Sequence, residues 1–276
     1  MAILLEQLLN GLTIGSFYAL IALGYSMVYG VMAISQRFGL WGGMAAALLF
    51  SFFAVGCVGV LMERIAYRPV QKSGRLPLVV SALGASIFIE NLIMAIWGPR
   101  YQAYPASVVP VHTISLGLFN ITAMQLFILI LSFMLMLILY YIVQKTTFGA
   151  AIRATALDRE MATILGIDVG KITLFIFFLG PALGGMAGVM NGMYYRQISF
   201  VMGWNYGLKA FTATILGGIG NIPAAMLGGL LLGLIEMLGA AYISSAWKDV
   251  FTFLILIIIL IFRPTGLIGE KIAEKV

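Results

Sequence analysis

The chain has 276 residues, of which 62% are hydrophobic and 9% charged, and its mean hydropathy is +1.07. Soluble globular chains carry roughly a quarter of charged residues, so the composition excludes that class and specifies a polytopic membrane protein. The net charge of +6 comes from lysines and arginines in short loops beside apolar runs, where the positive-inside rule accounts for them without a nucleic-acid partner.

A spanning helix needs about 20 mainly apolar residues. On that criterion the spans fall at 4–34, 39–62, 76–97, 114–143, 172–195, 206–220, 223–243 and 246–262. The reading is an all-α transmembrane helix bundle of about 7–8 membrane segments, one domain over residues 1–276. The N-terminus has Glu6 where a signal peptide would be basic, and the apolar run behind it is too long for a signal-peptide core, so it reads as a retained span. Gly11 and Gly15 form a G-x-x-x-G packing pair within it.

In the second span, the sole cysteine, Cys57, has no disulfide or metal partner and is expected as a small buried hydrophobe. The span ends in ERIAYRPVQKSGR, where Arg64, Arg68, Lys72 and Arg75 follow Glu63. Such a basic loop belongs in the cytoplasm, and Pro69 and Gly74 predict a turn in place of continued helix. The third span then runs outward with Glu90 and Asn91 in its apolar body. Two readings stand: a pair lining a pathway, or a carboxylate that snorkels to the outer interface.

Residues 98–113, with three prolines and interfacial tyrosines, read as an external loop. They hold the single histidine, His112, so no zinc cluster or Ser-His-Asp triad can be assembled. The fourth span returns the chain to the inside and delivers the stretch 144–171, QKTTFGAAIRATALDREMATILGIDVGK, with Lys145, Arg153, Asp158, Arg159, Glu160, Asp168 and Lys171. There Ala150, Ala151, Ala154, Leu157, Met161, Ile164 and Leu165 recur at helical spacing, which predicts one short amphipathic helix. Thr146 or Thr147 would cap its start and Gly166 would end it in the left-handed conformation.

The fifth span repeats Gly180, Gly184, Gly188 and Gly192 every four residues, three overlapping G-x-x-x-G pairs that predict a close helix–helix seam in the bundle or between subunits. Pro181 would kink it. The sixth piece is short and ends in LGGIGNIP, where Gly217, Gly218 and Asn221 either make a tight turn or place irregular backbone along a path. Glu236 is a second acid at depth, in the seventh span. Lys248 and Asp249 open the last span, and Arg263, Lys271 and Lys275 mark a cytoplasmic tail. With this orientation 11 of the 16 basic residues lie inside. No G-x-x-x-x-G-K-S/T loop occurs, so the chain lacks the usual ATP cradle, and Glu90 and Glu236 are the candidates if ion coupling supplies the energy instead.

The run FGAAIRATALDREMATILGIDVGKITLFIFFLGPALGGMAGVMNGMYY, then GLKAFTATILGGIGNIPAAMLGGLLLGLIE, AAYISSAWKDV and RPTGLIG, resembles the permease subunits of branched-chain amino acid ABC importers. GLTIGSFYALIALGYSMVYGV and ERIAYRPV fit the same family. Within it the chain is most similar to the smaller permease of the leucine/isoleucine/valine system, and relatives serve urea or short amides. The resemblance implies no enzyme activity and no cofactor on this chain, with ATP and Mg held by two cytoplasmic ATPase subunits. It further implies a second homologous permease, a periplasmic solute-binding protein and a bacterial inner-membrane location. The stretch 144–171 matches the family's ATPase-coupling segment, with Arg153, Ala154, Asp158, Ala162, Leu165 and Gly166 as its recognisable positions. Glu90, Asn91, Gly217, Gly218, Asn221 and Glu236 are then candidates for the translocation path. This chain departs from relatives in reading ISQRFGLWGGM where they carry Asn-Phe-Ala-His-Gly, and in having about one span less between Tyr29 and Glu63.

Overall fold

The computed structural model describes residues 41–70, 75–103, 113–115, 120–218, 221–263 and 265–267. The expected first span with Gly11 and Gly15, the loop around His112, and Lys271 and Lys275 lie outside them. In chain order the helices are α1 (41–62), α2 (Arg75–Trp97), α3 (Ala123–Lys145), α4 (Thr147–Leu157), α5 (Arg159–Ile164), α6 (Val169–Tyr195), α7 (Met202–Gly217), α8 (Ile222–Tyr242) and α9 (Lys248–Phe262). Two short antiparallel ribbons accompany them, β1 (Gln102–Ala103) with β4 (Gln197–Ile198), and β2 (Thr113–Ser115) with β3 (Asn120–Thr122). Among the described residues six helices are long and apolar enough to cross a membrane, α9 among them once the 3-10 turn Ser245–Trp247 that leads into it is included, while α7 has 16 residues and is not one of the six.

Several boundaries differ from the hydropathy reading. The fourth span does not begin at 114, because β2 and β3 pair as a hairpin, Ile114 opposite Ile121, and α3 starts only at Ala123. Apolar β-branched residues at a span's edge serve a ribbon as well as a helix. After α1 the chain stays helical through Pro69, while Gly74, the other residue expected to make a turn here, lies outside the described residues. The chain continues as a π-helical turn, Glu63–Tyr67, and a 3-10 turn, Arg68–Val70. Proline is tolerated in the first turn of a helix, where its N–H would have no partner in any case, and Pro69 is the second residue of the 3-10 turn. The Ser81 hydroxyl of α2 donates to the Ala66 carbonyl at 2.6 Å and holds the irregular turn. Cys57 is exposed on α1, since in a membrane an apolar thiol need not be buried by protein.

The chain divides into two compact units. The first comprises Met1–Ser132 and Ala151–Phe200. Its core is Met44, Ala47, Met124 and Met193, with Phe127, Ile128 and Val189 packed against them. Phe52 meets Phe178 edge to face at 5.6 Å. Helix α6 runs unbroken through Pro181, and the Phe177 carbonyl, which loses its helical donor to that proline, lies against Gly59 of α1. A side chain at Gly59 would collide with that carbonyl.

The second unit comprises Phe133–Ala150 and Val201–Val276. Ala213, Leu216 and Leu232 form its core, backed by Ile255 and Ile259 of α9. Helices α7 and α8 cross at Gly217 and Gly228. A Cβ on Gly228 would overlap the Ala213 carbonyl, and one on Gly217 the Ala224 carbonyl. Within lipid there is no hydrophobic drive between helices, so such backbone-to-backbone contact is what holds them. Past α9 the chain returns to α7, where the Leu267 N–H donates to the Leu216 carbonyl at 2.9 Å.

Candidate functional site

The connection between α3 and α6 concentrates the most chemistry. It begins with Thr146, whose hydroxyl donates to the Ile142 carbonyl and accepts from the Gly149 N–H at 3.0 Å. That cap fits the sequence expectation. Gly149 had not been singled out, yet a Cβ there would overlap the Ile142 and Val143 carbonyls, so the tight turn from α3 into α4 requires glycine.

The expected single amphipathic helix is two. Asp158 adopts extended backbone between α4 and α5, and its carboxylate accepts from the N–H groups of Glu160 (2.9 Å) and Met161 (3.1 Å). An aspartate able to satisfy two orphan N–H groups starts a new helix where periodicity alone would run through. Gly166 ends α5 at φ +82°, with its N–H on the Thr163 carbonyl and the Ile167 N–H on the Ala162 carbonyl, both at 3.0 Å. That bond pair is a Schellman motif. Asp168 then caps α6 by accepting from the Lys171 N–H and pairing with its ammonium, each at 3.1 Å. The Lys171 N–H, foremost, holds its carboxyl below the usual aspartate value.

Ala162 is buried and Ala154 half-buried, which seats the segment on its inner side. The larger apolar residues face outward: Leu157 is 85% exposed, Ile164 76%, Leu165 75% and Met161 59%. Arg153 is exposed on α4 beside them in sequence. Together they form an uncovered apolar surface on two capped helices, the kind of patch that marks interaction sites in general.

The remaining sequence candidates are dispersed. In the first unit, Glu90 is half-buried and Asn91 exposed on α2, the Asn91 amide donating back to the Ile87 carbonyl at 2.8 Å. Gly180, Gly184 and Gly188 lie on an exposed face of α6 with no described atom within 4 Å of a Cβ placed on them, and Gly192 is buried. In the second unit, Gly217 serves the α7–α8 crossing, Gly218 ends α7 at φ 131°, and Asn221 caps α8 by accepting from the Ala224 N–H at 3.2 Å. Glu236 accepts from Lys209 at 2.6 Å and pairs with Lys248 at 3.2 Å, while Lys209 also meets Asp249 at 2.8 Å. The sequence places Glu236 at depth but does not join it to Lys209 or Lys248. Its lysine partners are 27 and 12 residues away, on α7 and at the start of α9, separations that no helical periodicity connects. Among the described residues no cluster of His, Cys, Asp or Glu could hold a metal ion.

Comparison with known proteins agrees with this architecture. The model of the branched-chain amino acid transport system permease component family matches residues 7–260. The chain is 39% identical to the high-affinity branched-chain amino acid transport system permease protein LivH of Escherichia coli, covering 99% of this chain and 97% of that protein. It is equally similar, 39% over 99% and 98%, to BraD, the corresponding permease protein of Pseudomonas aeruginosa. A more distant relative, 28% identical over 84% of this chain and 64% of its own length, is the autoinducer 2 import system permease protein LsrC of Yersinia pseudotuberculosis. The LivH alignment extends over 301 positions, more than the 276 residues here, so that relative carries residues this chain lacks. No solved structure matches the chain. With its apolar spanning helices and these matches, the chain is a multi-pass membrane protein and belongs to the family of permease components of branched-chain amino acid transport systems.

Proposed function

We propose that this chain is one of two permease subunits of an ATP-driven importer for branched-chain or related hydrophobic amino acids in a bacterial inner membrane. It forms the path with a second homologous permease, receives substrate from a periplasmic binding protein, and is driven by two cytoplasmic ATPase subunits that hold ATP and Mg. Eight membrane segments fit this role: the six helices long enough to span, the shorter α7, and the apolar run at 4–34.

The observation that carries the coupling assignment is the exposed apolar surface of α4 and α5, Leu157, Met161, Ile164 and Leu165, beside Arg153. A transporter without its own nucleotide loop needs a contact of this kind to receive force. The test is co-expression of the chain with its ATPases and binding protein. Arg153→Glu or Leu165→Asp leaves the chain inserted, because both side chains are exposed, and abolishes ATPase co-purification or separates ATP hydrolysis from uptake. Normal co-purification and normal uptake in both variants would overturn the assignment.

A further inference from the structure

A cavity of about 210 Å³ lies within the first unit, between the end of α1, α5 and the start of α6. Glu63, Arg68, Arg159 and Thr173 are among the residues lining it. Glu63 is 5% exposed, and one oxygen of its carboxylate, Oε2, has no hydrogen-bond partner among the described residues. A buried carboxylate short of partners is costly, since removal from water is offset only by paired charge or full hydrogen bonding. Glu63 also opens the π-helical turn, whose backbone closes from the Arg68 N–H to the Glu63 carbonyl, and such turns mark functional sites more often than ordinary helix does. Across the cavity, Arg159 is the first residue of α5, directly after the Asp158 cap, and its guanidinium donates to the Thr173 hydroxyl at 3.2 Å. A carboxylate, carrying charge and able to accept two parallel N–H bonds, is a stronger acceptor for a guanidinium than a neutral hydroxyl is.

We propose that Glu63 and Arg159 form an ion pair in one state of the transport cycle and part in the other, so that the ATPase-docking segment pulls directly on the end of α1. The cavity is the space through which Arg159 moves from Thr173 to Glu63. Pairing supplies the buried carboxylate with its missing donor, and parting leaves the arrangement described above. Arg68, which opens the next turn and is tied by its backbone N–H to the Glu63 carbonyl, cannot transmit such a pull because it moves with Glu63. The inference rests on the docking assignment for α4 and α5, and its test begins from a complex in which co-purification has established docking.

In a Cys57→Ala background, Glu63→Cys and Arg159→Cys are introduced together. The complex is trapped without nucleotide or with a non-hydrolysable ATP analogue, then treated with a short bifunctional maleimide. Bridging in one state and at least about fivefold less in the other, the low end of typical coupling between sites, is the expected result. Equal yields overturn the proposal. In parallel, the near-isosteric Glu63→Gln and the charge-removing Arg159→Gln each lower uptake by roughly 5- to 150-fold while ATP hydrolysis persists, and the double variant is no worse than either single one. Independent, multiplying losses overturn the proposal, as does interdependence of Glu63 with Arg68→Gln in place of Arg159→Gln. Failure of the parent chain to retain its ATPases would instead refute the docking assignment.

Discussion

At Asp158 one carboxylate decides whether the connection is one helix or two. Its side chain binds the N–H groups of Glu160 and Met161, so Asp158→Ala should destabilise α5 by about 1 kcal/mol, whereas Asp158→Asn, which retains a capping oxygen, should cost far less. Thermal unfolding of the purified chain, together with ATPase co-purification, checks this. If Asp158→Ala and Asp158→Asn impair docking equally, the charge matters and the cap does not. Gly166, at φ +82° with open space around it, should respond to alanine by about 1–2 kcal/mol for purely conformational reasons. The cap at Thr146 and the left-handed Gly166 were legible in sequence because both depend on residues close in the chain. The Asp158 break was not, because an aspartate inside a helical period reads equally as a solvated side chain.

Among the elements, the glycines sort by what they touch. The four-residue repeat in α6 drew notice through its regularity, yet its exposed members meet no described atom, while Gly59, Gly217 and Gly228 stand against backbone. Repetition along one helix is visible in sequence; the position of a crossing depends on where another helix arrives. Gly228→Leu should therefore disrupt the α7–α8 crossing and lower folded yield of the chain by itself, as measured by size-exclusion chromatography in detergent. Gly184→Leu should leave that yield unchanged and impair only assembly with a second permease. A chain that tolerates Gly228→Leu would show the crossing to be dispensable. The spans themselves were largely legible from apolar length. The exceptions were chain-level competitions: a hairpin ahead of α3, and a π-helical turn carrying α1 past its expected stop.

For the whole molecule, the question is where the driving force enters. Glu236 lies between two ammonium groups, Lys209 and Lys248, and so joins α7, α8 and the start of α9 as a structural clasp. Vesicles containing this chain alone should accordingly show no uptake of labelled leucine, isoleucine or valine under a proton or sodium gradient. Gradient-driven uptake abolished by Glu236→Gln would assign the energy source to this chain after all. The two units also differ in the material of their interiors. Met44, Met124, Met186, Met190 and Met193 are all buried in the first unit, while the second relies on Ala213, Ile215, Leu216 and Leu232 around a glycine crossing. Unbranched thioethers change rotamer readily and fill irregular gaps, whereas close backbone contact permits little sliding. The interior of the first unit is thus the more compliant, able to let its helices slip past one another without opening voids, and that of the second is the stiffer.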